Sequence, residues 1–178
     1  MPLLTTLHRA DGINIHGKII ERTAVRAVIQ RGQSLLMIFS AHVGDYKVPG
    51  GGVDAGETHE QALHREVSEE CGAELSHIGE EIGSVVEYNH AKNDGFETFK
   101  MTSHYYRCEV TDGFGAQNLD GYERDLGFMP AWIEIDDAIR INKLALSTVN
   151  APGWLRREIF VLEYLRNDGG TSLITHRQ

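Results

Sequence analysis

Cysteine is scarce: Cys71 and Cys108 are the only two in 178 residues, too few for a disulfide framework. A reduced, cytoplasmic setting is the expectation. Long apolar runs are missing as well. None approaches the roughly 18 residues that a membrane span requires, and the opening stretch MPLLTTLHRADGI lacks the basic-then-apolar order of a secretory signal. Positive charge is in deficit, with 17 Lys and Arg against 26 Asp and Glu, a net charge of −9. A chain that grips long nucleic acid needs a basic surface, so that class is excluded. Nucleotides are not, because a bound metal ion reverses the sign of a local site. What is present is globular: 41% hydrophobic and 24% charged residues, a length that fits one domain.

The hydrophobic pattern predicts a mixed α/β order. In Arg22–Gln30, Thr23, Val25, Ala27 and Ile29 share one strand face. The turn RGQ leads into a returning strand at Ser34–Ser40, and Tyr46–Val48 is a short third strand. Thr58 with Gln61 forms a capping box that starts a helix. Leu63, Val67 and Cys71 form its apolar stripe and Gly72 ends it. Strands follow at Ser84–Tyr88, Glu97–Val110 and Phe128–Ile135, then helices over 136–146 and 152–167. In the last helix Leu155, Ile159, Leu162 and Leu165 line one face. Residues 1–21 are expected to be an extension with a short edge strand, 22–168 the main domain with its C-terminal helices, and 169–178 a loose tail. The whole predicts helices on both faces of a mixed sheet.

The chemistry concentrates in KVPGGGVDAGETHEQALHREVSEECGA, residues 47–73. On a helix, Glu66, Glu69 and Glu70 stand at i, i+3 and i+4 within an arc of about 100°. Like charges at that spacing cost roughly 0.2–0.5 kcal/mol per pair, and Glu69 and Glu70 also face the unfavourable end of the helix dipole. A solvated acidic face is the ordinary reading of such a pattern. A hard divalent cation offsets the repulsion directly, because Mg²⁺ and Mn²⁺ prefer carboxylate and carbonyl oxygens. The glycines at 50–52 allow the backbone to approach a ligand closely. Arg65 is expected to pair with Glu57 and hold the loop against the helix.

Gly51, Glu57, Arg65, Glu66, Glu69, Glu70 and Gly72 fill every fixed position of the Nudix box, Gly-x5-Glu-x7-Arg-Glu-U-x-Glu-Glu-x-Gly-U. Val67 and Ala73 stand at the aliphatic places, Ala73 being smaller than usual. The chain therefore resembles the Nudix hydrolase family, and the surrounding strand order fits that family over most of 22–136. The resemblance implies an α/β/α sandwich with a mixed sheet. It implies a pyrophosphohydrolase that cleaves the diphosphate of a nucleoside diphosphate linked to another moiety X, with Mg²⁺ or Mn²⁺. It also implies metal binding by Glu69, Glu70 and the Gly50 carbonyl. Glu66 is implied to ligate or to orient a water, and Glu57 to stand nearby as an inner or outer partner. Some relatives take their general base from a later loop. Glu123 is the choice here, with Asp94 and Glu97 behind it. Arg65 and Tyr88 are carried as substrate-side residues, and homodimers are frequent in the family.

Aromatic residues Tyr105, Tyr106 and Trp132 are weighed as base-stacking partners against ordinary sheet packing. His90 and His104 are weighed as phosphate contacts against structural roles. Cys71, on the buried stripe, is expected to be a packed thiol. The competing function is a nucleotide-binding sensor that keeps the fold and controls a partner without turnover. The intact set of acidic positions argues for the enzyme.

Overall fold

Alternation along two adjoining strands decides the architecture. In β2 (Ile19–Arg31), Val25, Ala27 and Ile29 enter one core, while Val28 enters a second. In β3 (Ser34–Ser40), Leu36 and Ile38 join the first core, and Leu35 and Met37 the second. A sheet buried on both faces must be covered by helices on both. The structure, a computed structural model, describes residues 2–172. It places α1 (His59–Cys71) on one side, and α3 (Ile135–Leu146) with α4 (Leu155–Ser172) on the other.

The sheet has seven strands, with β1 (Leu3–His8), β5 (Leu75–His90), β6 (Thr98–Val110), β2, β3 and β4 (Asp45–Lys47) in that order, and β7 (Phe128–Glu134) on the other edge of β3. It is mixed: β1 runs parallel to β5 and β2 to β6, whereas β5–β6, β3–β4 and β3–β7 are antiparallel. The expected edge strand in the extension is β1. The β2–β3 hairpin pairs only at Gln30↔Leu35 and Arg31↔Ser34. Beyond that the two strands part, and the glycine segment occupies the gap.

Several boundaries differ from expectation, and β2 starts at Ile19, inside the segment expected as extension. The strand expected at Ser84–Tyr88 begins at Leu75, because Gly79 and Gly83 and register shifts at Ile78–Gly83 break the period-two signal. A six-residue helix, α2 (Gly121–Leu126), stands where a loop was expected. Helix α4 runs to Ser172, four residues into the segment expected as tail, and 173–178 lie outside the described residues. Among the described residues, no helix is long and apolar enough to cross a membrane.

Candidate active site

The free edge of β2 sets the position of the loop. Pro49 and Gly51 carbonyls accept hydrogen bonds from Ala27 N (2.8 Å) and Val25 N (2.9 Å), and Val53 N donates to Thr23 O (3.0 Å). The loop thus runs as a surrogate strand beside β2, and this close approach dictates glycine at one position. Gly50 has φ +132°, and a Cβ there would strike the Val25 carbonyl. Gly50→Ala is expected to cost several kcal/mol by combining left-handed strain with a backbone collision, at about 1–3 kcal/mol for the strain alone. Chemical denaturation should show a lower midpoint with an unchanged slope.

Helix α1 carries the acidic residues into that loop. Thr58 caps it in a reciprocal box with Gln61, and Gly72 closes it at φ 64°. The stripe Ala62, Leu63, Val67 and Cys71 is buried in the first core, which turns Glu66 and Glu70 inward beside it. Both are buried, 7% and 6% exposed. Glu70 Oε2 accepts from Gly50 N at 2.7 Å, so loop and helix are joined at the site itself. Burial pushes the Glu70 carboxyl up to about 8, with the nearby Glu66 and Glu123 charges acting the same way against the Gly50 hydrogen bond and Arg26. Glu66 is raised mainly by burial, despite Arg65.

A third carboxylate arrives from α2. Asp120 caps that short helix in a box with Glu123, which accepts from Asp120 N at 2.8 Å. This fixes Glu123 against the end of α1. One carboxylate oxygen from each of Glu66, Glu70 and Glu123 lies within 4.8 Å of the other two. Glu123 is raised by burial, and Asp120 and Glu69 push it further in that direction. Glu69 itself stands at the rim, 3.4 Å from Arg65 and half-exposed. The structure therefore brings together Glu66, Glu70 and Glu123, with Glu69 beside them and not among them.

Arg65 is fully engaged by its own chain. It holds Glu57 with two hydrogen bonds of 2.8 Å, Glu66 at 2.7 Å and the Gly52 carbonyl at 2.9 Å. It braces helix and loop, as its pairing with Glu57 predicted, and does not line the cleft beside the acidic trio. Glu57 is committed to the same brace and to Asp54 N (2.9 Å), away from the acidic trio. The Gly50 carbonyl, expected to face a metal, accepts a hydrogen bond from Arg26. Arg26 is the cation nearest that carbonyl here, and its buried Nε has no partner among the described residues.

Glu66, Glu70, Glu123, Arg26 and the glycines at 50–52 line a cleft of about 360 Å³. Its cations are Arg9, Arg22, Arg26, Lys47 and Arg157, and its aromatic walls are Tyr122, Phe128 and Trp154. Lys47 Nζ sits 3.8 Å from the Phe128 ring centroid and 4.9 Å from that of Trp154. Burial lowers it to about 8, although Asp45, Glu70 and Glu158 all favour its charge. A second cavity, of about 330 Å³, opens beside His77, Glu80 and Arg107, away from the acidic trio.

Several expected contacts fall elsewhere. Tyr88 packs on His8 with ring centroids 5.4 Å apart and does not line the cleft. Tyr105 is wholly buried in the second core, Tyr106 hydrogen-bonds His59, and Trp132 lies beneath Arg31. His90 contacts the Asp11 carbonyl and His104 contacts Glu81. Glu97 accepts from Asn14, and neither it nor Asp94 reaches the cleft. Cys71 is a packed thiol, as expected, with burial raising its pKa. The aromatic walls were missed. Trp154 precedes the apolar face of α4, and only the fold carries it to the cleft. Glu123 was found, and the Asp-x-x-Glu box at 120–123 was a readable signal for the helix that positions it.

A family model for the NUDIX domain matches residues 20–152. Among solved structures, the chain is similar to a NUDIX hydrolase from Nitrosomonas europaea, with 24% identity, coverage of 74% of this chain and 84% of that one, and a TM-score of 0.51. It is also similar to a MutT NUDIX hydrolase from Burkholderia pseudomallei, with 22% identity, coverage of 66% and 85%, and a TM-score of 0.45. No curated protein matches the chain at a significant level.

Proposed function

The chain belongs to the Nudix family of hydrolases, enzymes that act on phosphorus-containing acid anhydrides, and from that premise we propose that it is a divalent-metal-dependent pyrophosphohydrolase acting on a nucleoside diphosphate linked to a further group. The observation that supports this reading is the convergence of Glu66, Glu70 and Glu123 oxygens within 4.8 Å. Carboxylates at that separation, two of them buried, resist simultaneous ionisation, and a bound cation offsets the repulsion. The donor set is made of hard oxygens and fits Mg²⁺ or Mn²⁺.

Glu66, Glu70 and Glu123 would hold the ion, with Glu69 at the rim to complete the acidic set. When bound, a divalent cation supplies charge to the phosphoryl oxygens and lowers the pKa of water. We assign to Glu123, which comes from α2 and is the least buried of the three, the proton of the attacking water. Arg26 and Lys47, which line the same cleft, supply positive charge for the anionic diphosphate. Asp120, through the cap, keeps Glu123 turned inward.

Incubation with a panel of nucleoside diphosphate derivatives and Mg²⁺ tests the reading. Release of nucleoside monophosphate from at least one member is expected. Glu123→Gln should lower kcat by about 10²-fold or more, within the range for loss of a positioned acid or base. Tight nucleotide binding with no turnover across the panel would favour a sensor instead.

A further inference from the structure

At the start of α1, opposite to the end that carries the acidic residues, lies a cluster that the hydrolytic reaction does not use. His59 opens the helix, His104 and Tyr106 lie on β6, and Glu81 lies on β5. His104 Nδ1 is 2.8 Å from Glu81 Oε1. Tyr106 Oη donates to Glu81 Oε2 at 3.0 Å and is 2.7 Å from His59 Nδ1.

The chemistry of the acceptors fixes both tautomers. A carboxylate only accepts, so His104 must carry its proton on Nδ1. Tyr106 spends its one proton on Glu81, so its oxygen accepts from His59, which must also be protonated at Nδ1. In the neutral form of each ring Nε2 then carries the lone pair, and neither Nε2 has a hydrogen-bond partner among the described residues. A histidine whose Nδ1–H is held by a carboxylate, directly or through a relay, is the arrangement that presents Nε2 to a metal.

The ring spacing permits a shared ion. With Zn–N bonds of about 2.0–2.1 Å, two imidazoles sharing one tetrahedral ion have centroids about 5 Å apart. These two stand 4.7 Å apart, tilted by 49°. Burial and the neighbouring His104 lower the His59 pKa, against Glu81. This favours the neutral ring, which is the ligating form.

We propose that His59 and His104 form a binding site for a borderline transition-metal ion such as Zn²⁺, with Glu81 and Tyr106 orienting the two rings and water completing the coordination. Nitrogen donors select Zn²⁺ over Mg²⁺, whereas the all-oxygen cluster at the other end of α1 suits Mg²⁺ or Mn²⁺. The helix would then carry two sites sorted by ligand chemistry. An ion bridging His59 and His104 would also tie the first turn of α1 to β6.

Zinc titration by calorimetry, with Mg²⁺ in large excess to occupy the acidic cluster, provides the test. The wild-type chain should bind one equivalent. His59→Ala and His104→Ala should each weaken it by 10-fold or more, and Glu81→Gln by about 10–100-fold, the range for loss of an orienting partner. His64→Ala and His77→Ala, at exposed histidines outside the cluster, should leave it unchanged. Zinc binding that survives both His59→Ala and His104→Ala overturns the proposal. Nitrogen-15 NMR of the wild-type imidazoles gives a second measurement that needs no variant. Protons on Nδ1 in both rings are expected, and protons on Nε2 in either would overturn it. Neither measurement requires that the protein hydrolyse anything.

Discussion

Glu70→Gln is expected to lower kcat by about 10²–10³-fold while raising the thermal midpoint of the metal-free protein above pH 7. The first effect follows from removing one oxygen ligand and its charge. Loss of about 3–4 kcal/mol of transition-state stabilisation, within the several kcal/mol that a bound cation supplies, gives a rate change of this size. The second follows from burial. The Glu70 carboxyl is raised from an ordinary 4.5 to about 8 by its removal from water. The folded state therefore holds this proton more tightly than the unfolded chain does. Its contribution to stability is fully present below about pH 4.5 and is lost as pH rises through about 8. A glutamine has no proton to lose, keeps an acceptor for Gly50 N, and escapes that penalty. Thermal melts of both proteins at pH 5 and pH 8, in chelator, check the sign: a gap that opens at pH 8 is expected, and added Mn²⁺ should close it by stabilising the wild type alone. The variant's far-UV spectrum should match the wild type, because Glu70 lies outside the apolar stripe of α1.

Arg157→Met is expected to destabilise the protein by about 3–5 kcal/mol, the cost of breaking a buried ion pair by removing one partner. Arg157 is 2% exposed and lies between two buried carboxylates. It donates to Glu87 Oε2 at 2.7 Å and to Glu158 Oε1 at 2.6 Å. Burial would raise Glu87, yet Arg157 and Arg9 outweigh it and hold the carboxyl below its usual value. Arg9 supplies two further hydrogen bonds to Glu87, of 2.8 and 2.9 Å. Methionine fills the volume but leaves Glu158 with only Val48 N, at 3.0 Å. At roughly 2–4 °C per kcal/mol for a chain of this size, the midpoint should fall by about 6–20 °C. Adding Glu158→Gln should recover part of the loss, because it removes the stranded charge. The network reaches the active site through Val48, two residues before Gly50, so kcat should fall even where the variant remains folded.

The architecture was legible where periodicity was clean. The alternation Val25, Ala27, Ile29 assigned one face of β2, and the stripe Leu63, Val67, Cys71 with the Thr58–Gln61 box set α1 to within a residue. It was illegible where polar residues and glycines interrupt pairing, as at Leu75–Gly83, whose strand identity comes from β6 and not from its own pattern. In the site, local spacing carried most of the information. Arg65, Glu66 and Glu70 fall within six residues of one helix, so their proximity needed no tertiary knowledge. Glu123 lies more than fifty residues away, and its approach depends on the packing of α2 beside β7. The cleft's cations and aromatics come from the segment after β1, β2, β4, α2, β7, and α4 with the residue before it. No local pattern links Arg9, Lys47 and Trp154, and for that reason Tyr88 and Tyr105 were weighed for a role that Tyr122 and Trp154 are placed to fill.

The central claim is that the buried acidic trio is tolerated because it holds a divalent cation. Manganese binding followed by electron paramagnetic resonance tests this most directly, with free Mn²⁺ measured against protein concentration for the wild type and for Glu66→Gln and Glu70→Gln. Saturable binding that each substitution weakens by at least about tenfold is the predicted result. Binding that is absent in the wild type, or equal in all three proteins, would contradict the account.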